Sequence, residues 1–150
     1  AEYDRKIVVE AAVPNAREIE VSVLGNETVE ASVPGEIIPG QEFYDYEAKY
    51  FSDDTRYFCP SGLPEDLEGR CRRSALEAFD AIGAAGWGRV DFLMGDDGAP
   101  SFLEVNTVPG MTSHSLVPMG AKAAGIDFEE LVWRVLETSF EDREGGGDGA

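Results

Sequence analysis

Apolar and polar positions alternate with a period of two near the start of the chain. Ile19, Val21 and Val23 are interleaved with Glu20, Ser22 and Leu24. Past Gly25-Asn26, Val29, Ala31 and Val33 alternate with polar neighbours. This pattern predicts two half-buried strands joined by a turn. Ahead of them, residues 5–13 (RKIVVEAAV) form an apolar run suited to a buried strand. Residues 40–64 (GQEFYDYEAKYFSDDTRYFCPSGLP) are rich in Tyr and Phe and lack periodicity. They predict a long structured loop with short strand pieces, and a loop of that length in a compact domain is usually functional.

The period then lengthens. Pro64, Glu65 and Asp66 suit a helix start, because Pro tolerates the first turn and acids favour its positive end. Leu67, Cys71, Leu76, Ala78, Phe79 and Ile82 supply the apolar face, and GAAGWG ends it. A hairpin follows in GRVDFLMGDDGAPSFLEVN, then a hydroxyl-rich loop and a helical turn over Pro118–Ala124. Asp127 with Glu130 predicts a capping box for a last helix facing the core through Leu131, Val132, Val135, Leu136 and Phe140. These elements make an α+β domain, a mostly antiparallel sheet packed by helices. The lobe is expected over residues 1–143, with 144–150 a disordered tail.

Composition narrows the class. The chain has 150 residues, enough for one domain with a real core, and its hydrophobic fraction of 43% is that of a globular protein. No apolar run is long enough to cross a membrane as a helix, and the first residues lack a signal-peptide pattern. Cys59 and Cys71 have neither metal-site spacing nor a disulfide framework, so reduced thiols that serve packing, in a cytoplasmic protein, are expected. The net charge of −18 argues against nucleic acid and anionic membrane as partners.

The acids matter most where the hairpin places them. If it closes symmetrically about Asp96-Asp97-Gly98, Asp91 lies opposite Glu104 and Arg89 opposite Asn106. Arg89, Asp91, Leu93, Phe102, Glu104 and Asn106 then share one face. Val90, Phe92, Met94, Leu103 and Val105 share the other, which is core. Carboxylates directly opposite on a sheet repel. Two carboxylates and a carboxamide oxygen are hard donors of the kind Mg²⁺ takes, with phosphate and water filling the remaining positions. The pattern leaves two readings open, a cation site and a solvated polar face.

Four stretches carry a resemblance: AREIEVSVLGN, YDYEAKY, GWGRVDF and FLEVNTVPGMTSHSLVP. They closely resemble the C-terminal part of the D-alanine–D-alanine ligase family, in the ATP-grasp superfamily, from about Lys6 to Phe140. The resemblance implies ATP-dependent joining of two D-alanines through an acyl phosphate, for peptidoglycan precursors. It also implies two Mg²⁺ ions, with Mn²⁺ as a substitute. Asp91, Glu104 and Asn106 match metal ligands, with Glu104 shared between the ions. Arg89 matches the residue that steadies the transferring phosphoryl group and the oxyanion, and Gly110 a backbone N–H that assists it. Ser115 and Leu116 match positions that receive the carboxylate of the second D-alanine. Tyr50 matches the tyrosine beside that pocket, and Lys49 a phosphate-contacting lysine. Glu10 to Val13 match the hinge whose backbone meets adenine, Glu18 the ribose-binding acid, and Leu93 and Leu103 adenine contacts. The alternating register would instead put Leu103 in the core.

The departures are Ala11 and Ala12, where the family carries larger residues, and the absence of the family's N-terminal domain and small glycine-rich lobe. A fragment inactive alone, with a homodimeric full-length enzyme, is the expectation. The alternatives are another ATP-grasp ligase, such as one making D-alanyl-D-lactate, and a non-catalytic acidic cation-binding domain.

Overall fold

The computed structural model describes residues 6–38 and 55–140. Strands β1 (Arg17–Gly25), β2 (Glu30–Ala31), β3 (Gly35–Ile38) and β4 (Arg56–Phe58) precede helix α1 (Glu65–Ala81). Strands β5 (Gly86–Met94) and β6 (Pro100–Asn106) follow, then helices α2 (Leu116–Ala123) and α3 (Phe128–Glu137). The sheet order is β4-β3-β1-β5-β6, with β2 pairing β1 on the side. Every pairing among the described strands is antiparallel, as expected for the α+β class.

The period-two pattern in β1 makes this sheet two-faced. Ile19, Val21 and Val23 join Val90, Phe92 and Met94 in a core closed by Cys71, Ala75 and Phe79 of α1. Those helix residues recur every four positions, one stripe on one side. α2 and α3 cover part of the opposite face through Val117, Ala121 and Leu131, packed with Trp87, Met111, Ile126 and Val135. The rest of that face holds Glu18, Glu20, Arg89, Asp91 and their neighbours. Cys59 and Cys71 are free thiols, and burial pushes both above their ordinary pKa, in keeping with packing roles.

Several expectations need correction. Residues 6–13 form no strand, and Ile7, Val8 and Val9 are 70%, 80% and 90% exposed. An apolar run becomes a strand only by pairing with another, and this one pairs with none of the described strands. The strand returning after the turn is broken into β2 and β3, with Pro34 between them, because Pro cannot donate to the ladder. The turn itself holds: Gly25 has φ +132°, and a Cβ there would lie 2.1 Å from the Thr28 carbonyl oxygen. Ile82 is exposed instead of facing the core, because Gly83 (φ +64°) ends the helix there. On α3 only Leu131 is fully buried; Val132 and Leu136 are exposed because α2 reaches one side of the helix, and Phe140 lies beyond its end and is exposed too. Asp127 Oδ1 accepts the Glu130 N–H at 2.8 Å, but the Glu130 carboxylate accepts from Arg134, so only half of the capping box forms. The expected tail at 144–150 lies outside the described residues.

Candidate active site

The hairpin register is the one the site requires. Arg89 pairs with Asn106, Val90 with Val105, and Asp91 with Glu104. A β-bulge then intervenes, and Phe92 pairs with Phe102, Leu93 with Ser101. The extra residue is Leu103. Phe102 therefore lies opposite core residue Phe92, their rings edge to face at 6.4 Å, and not opposite Leu93 as simple alternation implies. Leu103 is 45% exposed and is not a core residue. A bulge frees one residue from the ladder, and here it turns the expected core position into an accessible one.

β1 extends the polar row across a third strand. Glu20 pairs with Asp91, Ser22 with Arg89, and Glu18 with Leu93. Glu20, Asp91 and Glu104 thus stand in one line across three strands, beside the line Ser22, Arg89, Asn106. Glu20 and Asp91 are buried, whereas Glu104 is exposed. Arg89 donates from Nε and Nη2 to both Asp91 oxygens, at 2.7 and 2.8 Å, a bidentate fork. Its Nε is also 2.9 Å from Glu20 Oε2. Burial works against the guanidinium charge, but the Asp91 hydrogen bond and the charges of Glu20, Asp91 and Glu104 outweigh it and push its pKa up.

The donor set fits Mg²⁺. Asp91, Glu104 and Asn106 offer oxygen donors from paired positions of one sheet face. Asn106 Oδ1 accepts the Val108 N–H at 3.2 Å, which orients the carboxamide and leaves a lone pair over. Among the described residues no three His, Cys, Asp or Glu side chains form a cage of their own. A cation here would complete its shell with water and phosphate oxygens, as Mg²⁺ commonly does.

The hydroxyl loop gathers a second group. Ser115 precedes α2, and its Oγ accepts the Thr112 N–H at 3.1 Å while lying 3.0 Å from Thr112 Oγ1. The hydroxyl is thus turned into the loop instead of capping its own helix. A Cβ on Gly110 would sit 2.8 Å from that hydroxyl, so Gly110 and Ser115 are neighbours. Leu116 is buried, its side chain against Gly35. Only its backbone N–H, one of the unpaired donors of a helix start, can face a ligand. His114 is exposed, and its N–H lies 3.4 Å from Thr112 Oγ1.

A third group sits at the hairpin end of the sheet. Glu18 is paired with Leu93, and Val13 lies against Gly95 at the hairpin turn. Glu10 is exposed and is not drawn to this cluster by any hydrogen bond among the described residues. Lys49 and Tyr50, with Tyr44 and Tyr46, lie outside the described residues. The sequence reading missed Glu20 and Tyr57. Burial, then the charges of Glu20 and Glu18, push the Tyr57 phenol above its ordinary pKa, with Arg89 opposing them. The alternation Glu18-Ile19-Glu20-Val21 was the available signal for Glu20. Placing it beside Asp91 requires the β1–β5 pairing, which no local pattern encodes.

Known proteins resemble this chain in sequence and in fold. A D-alanine–D-alanine ligase of Dechloromonas aromatica is 52% identical over 142 residues, 95% of this chain and 46% of the relative. One from Halothermothrix orenii is 47% identical, over 94% of this chain and 41% of its own length. The chain thus spans about half the length of the curated relatives it matches. The solved D-alanine–D-alanine ligase of Coxiella burnetii superposes with a TM-score of 0.73 at 30% identity, covering 87% of this chain and 33% of that one. A D-Ala:D-Ser ligase from Enterococcus faecalis does so with a TM-score of 0.72 at 31% identity, covering 83% and 36%. The model of the D-ala D-ala ligase C-terminus family matches residues 1–137, and the chain belongs to that family.

Proposed function

We propose that this chain is the C-terminal ATP-grasp lobe of a cytoplasmic ligase that joins two D-alanines at the expense of ATP. The observation that carries the reading is the register of Arg89, Asp91, Glu104 and Asn106 on one open sheet face. The identities near 50% to enzymes of that name support it.

Mg²⁺, when bound, would neutralise phosphate charge and act as a Lewis acid. Asp91, Glu104 and Asn106 would hold it. Arg89 would present its guanidinium to the phosphoryl group as the first D-alanine carboxylate becomes an acyl phosphate. It would then face the oxyanion formed when the second amine attacks. A preorganised, poorly solvated donor of this kind stabilises developing charge more than it would in water. The Gly110 N–H would add a second donor. The Ser115 hydroxyl and the Leu116 N–H would bind the carboxylate of the second D-alanine, aiming its amine. Glu18, Val13, Leu93 and Leu103, with the backbone from Glu10, would seat the nucleoside. Lys49 and Tyr50 are proposed for the phosphates and the second-substrate pocket.

The test is a chimera in which residues 6–140 replace the matching segment of the Dechloromonas aromatica enzyme. D-alanine-dependent ADP release with D-alanyl-D-alanine as product is expected, together with its loss in Glu104→Gln. A folded chimera without that activity would refute the reading. D-lactate or D-serine incorporation in preference to D-alanine would refute the second substrate. Both solved neighbours superpose about equally well, so the fold alone does not choose between them.

A further inference from the structure

The fork between Arg89 and Asp91 raises a conflict. Both Asp91 oxygens are covered by Arg89 Nε and Nη2. The same oxygens are donors for the proposed cation. Each oxygen keeps a second lone pair for a dication, but the cation's charge beside the guanidinium would repel it and drive a loosely held arginine into solvent.

We propose that Glu20 is a positioning residue that keeps Arg89 in the site when Asp91 turns to a cation. The proposal rests on the cation reading above. Across the sheet the order is Glu20 on β1, Asp91 on β5, Glu104 on β6. Glu104 and Asn106 draw a cation to the β6 side of Asp91. Glu20 stands on the other side, and its Oε2 is already 2.9 Å from Arg89 Nε. A small sideways shift exchanges the Asp91 fork for Glu20 without moving the arginine out of the row. Three carboxylates then divide their work, two for the cation and one for the guanidinium. The Glu20 side chain is only 9% exposed, and a carboxylate that poorly solvated is stable only beside a cation. Its attachment to β1, a central strand, keeps that anchor fixed.

The experiment follows the Arg89 Nε–H signal by NMR in the ¹⁵N-labelled 150-residue chain, assigned by its loss in Arg89→Lys. Mg²⁺ alone is titrated in. In the parent, amides around Asp91 and Glu104 should shift while the Arg89 Nε–H signal persists, protected from exchange. In Glu20→Gln the signal should be present without Mg²⁺ and exchange with water at least about tenfold faster once Mg²⁺ is added. Should that variant not fold, Glu20→Asp, one methylene shorter, should give the same loss. Equal persistence with Mg²⁺ in parent and folded variant would overturn the proposal, as would loss of the signal in the parent. If Mg²⁺ gives no shift that Glu104→Gln abolishes, the cation reading falls, and the role of Glu20 with it. If Glu104→Gln abolishes the shift but Glu20→Gln leaves the arginine protected, only the Glu20 role falls.

Discussion

Replacing Arg89 by Met tests how the polar row is held together. Arg89, Asp91 and Glu20 have side chains 14%, 10% and 9% exposed, so solvent screens their attraction weakly. Two unit charges about 4 Å apart attract by about 4 kcal/mol at an effective dielectric near 20. Desolvation offsets much of this, so the pair gives little net stability over an apolar alternative. Removing the guanidinium alone is different, because two poorly solvated carboxylates remain side by side with no cation. Breaking a buried pair in this way costs about 3–5 kcal/mol. For a chain of this size that is a fall in Tm of roughly 6–20 °C. The assay is calorimetric or circular-dichroism melting in EDTA, with urea unfolding as a check on ΔG. Mg²⁺ should then recover more stability in Arg89→Met than in the parent, because Asp91 is no longer covered and binding adds stability by mass action. A metal-free loss below about 1 kcal/mol would refute the reasoning, since it would mean that water already solvates the row.

Three further outcomes are expected. Gly88→Ala should destabilise by about 1–3 kcal/mol in urea titration, because its Cβ would sit 3.0 Å from the Phe79 ring and 3.1 Å from the Asn106 carbonyl oxygen. The raised Tyr57 pKa means that the folded state keeps a proton the unfolded state has lost once pH passes about 10, so stability should fall as pH rises above that value. Tyr57→Phe should make the decline of the urea midpoint between pH 9 and 11 shallower, and an unchanged slope would count against the assignment. In the chimera, Ser115→Ala should raise KM for the second D-alanine about tenfold to a hundredfold with kcat little changed, since a hydrogen bond to a charged group is worth about 1.5–3 kcal/mol.

What the sequence shows and what it hides divide along the range of the interactions. The polar row across the hairpin was legible from alternation about a short turn, yet the turn closes one residue off, with Met94 opposite Pro100, and the bulge brings Asp91 opposite Glu104 and Arg89 opposite Asn106. The stripe Cys71, Phe79 on α1 and the half-buried β1 were legible from period alone. Glu20 was not, because its place beside Asp91 depends on β1 pairing with a strand more than sixty residues away. The run Ile7-Val8-Val9 misled for the same reason: apolar content states that a segment could be buried, but not which edge would receive it. The positions Val132 and Leu136 carry a helical apolar pattern wider than the surface that α2 offers.

The bulge at Leu103 is where local and long-range constraints meet, and it explains how β6 serves two sites. A regular strand sends alternate residues to alternate faces, so Glu104 and Asn106 on the polar face would fix Phe102 there as well and send Leu103 and Ser101 to the core face. The extra residue shifts Phe102 across to stand edge to face with Phe92, where it remains 56% exposed. The same shift puts Ser101 opposite Leu93 at the Glu18 end and leaves Leu103 unpaired and accessible between the two groups. Deleting Leu103 would therefore not only remove an apolar side chain. It would restore simple alternation with both pairings kept, Phe102 opposite Phe92 and Glu104 opposite Asp91. The one-residue insertion thus keeps both pairings and adds an accessible side chain, Leu103, between them.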